Sequence, residues 1–158
     1  ARCDAMSGAN FVALGQLRSL RRLVLQSCAC VNTFAPLVQL APSLEELDVA
    51  FAWKTGGPPM AAFLPLKRLR RLAMNVTTEE EASAVGALAQ LQLLESLSIE
   101  CKSARLMLPL IAALGSAWRG GSSLVELSLL SERNDAALPS ADFDRSFHSF
   151  CVAHSRLR

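Results

Sequence analysis

The chain has 158 residues, of which 51% are hydrophobic and 19% charged, with a formal net charge of +2. That length fits one domain with a sizeable core, and so mild a charge makes no case by itself for nucleic acid or an acidic membrane. The five cysteines (Cys3, Cys28, Cys30, Cys101 and Cys151) are odd in number and irregularly spaced. They fit neither a disulfide framework nor a four-ligand zinc pattern, so reduced thiols in an intracellular or organelle-interior protein are expected.

In chain order, one motif returns five times. Leu20-Arg-Arg-Leu23-Val-Leu25 is followed by Leu44-Glu-Glu-Leu47-Asp-Val49, Leu69-Arg-Arg-Leu72-Ala-Met74, Leu94-Glu-Ser-Leu97-Ser-Ile99 and Leu124-Val-Glu-Leu127-Ser-Leu129. Their first residues lie 24, 25, 25 and 30 positions apart. A period in this range is the signature of a solenoid. Within each copy the last two apolar residues sit two apart, which is strand spacing and turns both to one face.

The stretches between motifs have a different rhythm. Residues 32–41 place Phe34, Leu37 and Leu40 at helical spacing. Residues 57–66 hold Pro58, Pro59 and Pro65, which predicts a turn with a very short helix. Residues 78–92 open on Thr78-Glu-Glu-Glu, a capping box, with Val85, Leu88 and Leu91 as the inner stripe of a helix. Residues 104–117 bring Leu106, Leu110 and Leu114 to one face, and residues 140–154 do the same with Phe143, Phe147, Phe150 and Cys151. The uncharged run Leu23–Leu44 is long enough for a membrane span, but it holds Gln26, Asn32, Pro36, Gln39 and Pro42 and begins and ends inside motifs. It reads as buried chain, and no membrane span is expected.

With these five motifs the chain resembles the leucine-rich repeat family, over roughly residues 7–158. The resemblance implies an α/β fold: a curved solenoid with a parallel sheet on its concave side and helices on its convex side. At the ninth motif position, where the family usually has Asn or Cys, only Cys28 matches; Ala52, Thr77, Lys102 and Glu132 do not. The pattern is nearer to irregular, helix-bearing intracellular repeats than to secreted receptors, whose Cys-rich caps are missing. The whole of 1–158 is expected to form one domain of five full repeats. Leu157 would open a partial sixth, as in a piece of a longer protein.

The residues flanking the inner leucines should line the concave face. Arg22, Glu46, Arg71 and Glu126 precede the inner pair, Asp48 falls within it, and Asn75 and Glu100 follow it. With Trp53, whose loop precedes Gly56-Gly57, these are the candidate partner contacts. Basic and acidic repeats alternate, so the charges can also neutralise one another across strands about 4.8 Å apart. The basic groups Arg18, Arg21 and Arg22, and Lys67, Arg68, Arg70 and Arg71, leave RNA or DNA as a lesser alternative, because Glu45 and Glu46 lie between them. Trp118 and Phe51 read first as core residues and second as interface anchors.

No catalytic constellation is evident. His148 and His154 share no helix face well, Cys28-x-Cys30 lacks supporting ligands, and neither Gly-Gly pair sits in a phosphate loop. No cofactor or metal is expected. The first expectation is therefore a non-enzymatic scaffold that binds another protein. The alternatives are a structural subunit of a large assembly (ribonucleoprotein, ciliary or organelle) and a sensing or autoinhibitory region of a multidomain protein.

Overall fold

The computed structural model describes residues 13, 16–25, 38–50, 59–118 and 123–131. Each of the five motifs supplies one strand: β1 (Arg22–Val24), β2 (Glu46–Asp48), β3 (Arg71–Val76), β4 (Ser96–Cys101) and β5 (Glu126–Ser131). They form one parallel sheet in the order β1-β2-β3-β4-β5. The register places equivalent motif positions side by side, so that Leu23, Leu47, Leu72, Leu97 and Leu127 make one row across the sheet. A shift of one residue would turn every leucine to the other face, so burial of this row holds the register.

A recurring hydrogen bond marks the starts of β2 to β5. The Arg21 carbonyl accepts from the amides of both Glu45 and Glu46, and the Glu45 carbonyl accepts from Arg70 and Arg71. Arg70 serves Glu95 and Ser96 in the same way, and Glu95 serves Val125 and Glu126. The Ser43 hydroxyl donates to the Leu20 carbonyl at 3.0 Å and the Ser123 hydroxyl to the Leu94 carbonyl at 2.7 Å, which ties one motif to the previous one at its first leucine.

The connections form a second layer over the leucine face. After β2 comes a single 3-10 turn, Met60–Phe63, as the proline-rich stretch predicts. After β3 comes α1 (Glu79–Ala84). Its capping box is complete: the Glu81 amide donates to the Thr78 hydroxyl, and the Glu81 carboxylate accepts from the amides of Thr77 and Thr78. After β4 a 3-10 turn, Ala104–Leu106, leads into α2 (Met107–Ala117). Met60–Phe63 packs on 85–90, which packs on α2.

One expectation needs correction. Residues 78–92 do not form a single helix, because α1 stops at Ala84 and a 3-10 helix runs over Val85–Gln90. The reason lies in the spacing. Val85, Leu88, Leu91 and Leu94 are all buried and three apart, which is the 3-10 period rather than the α period. Met60, Phe63, Leu66 and Leu69 repeat the pattern, and in both series a turn closes every third residue up to the first leucine of the next motif. Leu106, just before α2, and Leu110 and Leu114 within it are buried and four apart, and that connection is α-helical from Met107 to Ala117. Most of the expected helix over 32–41, all of that over 140–154, and the partial motif at Leu157 lie outside the described residues.

Candidate functional site

The sheet has one buried face and one open face. Parallel sheets are usually covered on both sides. Here, among the described residues, no second layer lies over the face that carries Arg22, Glu46, Arg71, Ser96 and Glu126, and these side chains are exposed or half-buried. The elements that place them are the strand starts, held by the shared carbonyl acceptors described above.

The expected neutralisation across strands is present. Glu46 sits between two arginines, with Arg22 Nε at 3.4 Å and Arg71 Nη1 at 3.1 Å. Beside this row, Glu45 lies between Arg21 at 3.9 Å and Arg68 at 3.8 Å, and Arg70 pairs with Glu95. Arg68 also donates to the Pro42 carbonyl at 3.4 Å. The row continues with the Ser96 hydroxyl donating to Glu126 at 2.8 Å. The pairs are exposed, and such pairs contribute about 0–1 kcal/mol each. Their effect is on the chemistry of the surface more than on stability.

The remaining candidates sit as follows. Asp48 faces the same side from β2, and its carboxylate accepts from the Ala50 amide at 3.1 Å. Asn75 and Glu100 are register neighbours on β3 and β4, both half-buried. Arg18 and Lys67 are exposed at the fringe, with no carboxylate partner within salt-bridge distance among the described residues. Trp53 and Phe51 lie outside the described residues. Trp118 is buried in the core behind α2, so the core reading of that residue holds.

Sequence reasoning passed over the shape of this face. A depression of about 190 Å³ opens across β1 to β4. Arg22, Glu46 and Arg71 edge it on one side, and Val24 and Asp48 line it on β1 and β2. Ala73, Ser96 and Ser98 form part of its lining on β3 and β4, where short side chains let the surface sink. The signal was the run of small residues at outward positions in the third and fourth motifs. Among the described residues, Val24 (46% exposed) and Leu130 (55%) are bare apolar side chains of this face.

Cys101, at the end of β4, is a buried free thiol. Burial, and then the negative charge of Glu100, push it up from 9.0 to about 11, so it stays protonated at neutral pH. Among the described residues no three His, Cys, Asp or Glu side chains gather as metal ligands, and no helix is long and apolar enough to cross a membrane. Compared with family models, curated proteins and solved structures, the chain has no match.

Proposed function

We propose that this chain is a leucine-rich repeat solenoid that binds another protein on the open face of its sheet, without chemistry of its own. The carrying observation is a parallel sheet that, among the described residues, is covered on one side only, with a depression and a charged row on the other. The equal register of five motifs and their recurring hydrogen bonds support the solenoid reading. Rigid repeat arrays present extended surfaces of this kind to large ligands. Binding would come from shape and charge complementarity, with the depression as the place for a buried anchor.

The reading as a fixed subunit of a large assembly draws on a separate observation, the bare Leu130 on β5 beside the only partly buried Leu127 and Leu129. The two readings separate on one experiment. The chain is used as bait in a lysate beside two variants: Ala73→Arg fills the depression, and Ala112→Arg alters the exposed side of α2. Capture that survives A112R and is lost with A73R supports the open face. Capture indifferent to A73R and A112R but lost with Leu130→Asp would put the contact at the β5 end of the sheet, away from the depression, and favours the assembly reading. Absence of any specific companion contradicts both.

A further inference from the structure

We infer that the partner presents an acidic protein segment to this face, seating one apolar side chain in the depression and setting its carboxylates on Arg22 and Arg71. The inference rests on the protein-binding reading above and specifies its partner. Charge complementarity carries it. Five guanidiniums share three carboxylates: Arg21 and Arg68 on Glu45, Arg22 and Arg71 on Glu46, and Arg70 on Glu95. The acids are the less exposed members, and the arginines stand outward with side chains 48% to 77% exposed. Around β1 to β3, what stands outward is therefore a group of planar donors held in place from below, with Asp48 as a further acid in the depression. A guanidinium has five N–H donors in a fixed fork, so one that spends part of that fork on Glu46 still has donors for a second carboxylate.

The depression adds the second half of the argument. It lies directly beside Arg22 and Arg71, and Val24 and Ala73 give it an apolar lining. Cavities of about 150 Å³ hold a benzene-sized group, so 190 Å³ suits one aliphatic or small aromatic side chain. An acidic segment with one apolar residue between its carboxylates matches both features. RNA lacks the second feature, an aliphatic or small aromatic side chain to seat in the depression. Single-strand binding also draws on aromatic platforms, and the described open-face positions of the five strands carry no aromatic residue.

The test is fluorescence anisotropy on the full chain with three labelled probes. They are a short glutamate-rich peptide with a single leucine, its lysine-for-glutamate counterpart, and an oligouridine of the same length. The acidic peptide should bind best, and its affinity should fall with added salt. The double variant Arg22→Gln/Arg71→Gln should weaken it roughly fivefold to tenfold, as expected for two exposed pairs. Glu46→Gln should act in the opposite sense and tighten binding by about threefold, because both guanidiniums lose their internal acceptor. Loss of folding cannot imitate that gain. The inference is overturned if the lysine peptide or the oligouridine binds as well as the acidic peptide, if the acidic peptide does not bind, or if E46Q leaves its affinity unchanged. Should the acidic peptide fail while A73R still abolishes capture of a companion, the open-face reading stands and only its acidic partner falls.

Discussion

β2 and β3 are neighbours built from the same motif, yet one has three residues and the other six. Their inner residues are equivalent: Leu47 on β2 with Val49 just after it, and Leu72 and Met74 on β3, all buried. The difference lies outward. Where β2 has Asp48, whose carboxylate takes the Ala50 amide two residues on, β3 has Ala73. A side chain that captures a nearby amide competes with the sheet ladder and turns the chain away. Alanine cannot, so β3 runs on through Asn75 and Val76 and pairs with the whole of β4. The inward leucines set register in both strands, while the outward residues set what the surface offers and, in β2, Asp48 marks where the strand ends.

If the inner row governs folding, truncating it should have the largest effect. Leu72→Ala or Leu97→Ala, both at buried positions, should cost about 2–5 kcal/mol in urea unfolding. Leu129→Ala, on the partly buried β5, should cost clearly less. Equal losses would mean that the buried centre of the sheet holds the fold no more than its edge strand does.

Next comes the layer behind β3 and β4. A Cβ on Gly86 would lie 3.1 Å from the Ala113 carbonyl oxygen and 3.2 Å from the Ala117 methyl, both on α2. Gly86→Val should therefore destabilise by about 1–3 kcal/mol, the usual cost of overpacking. A neutral outcome would show that the 85–90 segment and α2 are not closely packed.

Cys101 belongs to the longer part of β4 and tests that extension in alkali. Its thiol holds its proton up to about 11 when folded, against 9.0 as its ordinary value. The folded state thus binds the proton more tightly. The resulting stability is complete below pH 9 and is lost as pH rises through about 11. Cys101→Ser should flatten that part of the stability–pH curve, and alkylation of native Cys101 at neutral pH should be much slower than in urea.

The smallest effect sharpens the comparison most. Asp48→Ala should change stability by less than about 1 kcal/mol, yet amide exchange at Ala50 should accelerate. Unchanged exchange would remove Asp48 as the reason β2 is short.

The leucine motif made register, strand order and the buried row readable before any coordinates, because a period of two on five equivalent segments admits one alignment. The charge alternation of Arg22, Glu46 and Arg71 was equally plain, since register converts it directly into neighbours. Other features were harder to see. The three-residue spacing of Val85, Leu88 and Leu91 passes for an α-helical stripe unless it is followed on to Leu94. Ser43 and Ser123 stand before a first leucine like ordinary loop serines, although each ties its motif to the previous one. The depression depends on side chains that are small, and absence of bulk at Ala73 and Ser98 leaves little mark in a sequence. The choice between a binding face and an assembly interface depends on a partner, which no residue pattern names.

The central claim is that the open face of the sheet, and not the helical layer, is where this protein meets its partner. Carboxylate footprinting of the chain alone and with a captured companion addresses it directly, because acids lie on both sides. The account expects protection of Glu46, Asp48 and Glu126 on the open face, with Glu79 and Glu80 at the start of α1 unchanged. Protection of Glu79 and Glu80 with Glu46, Asp48 and Glu126 unaltered would contradict it.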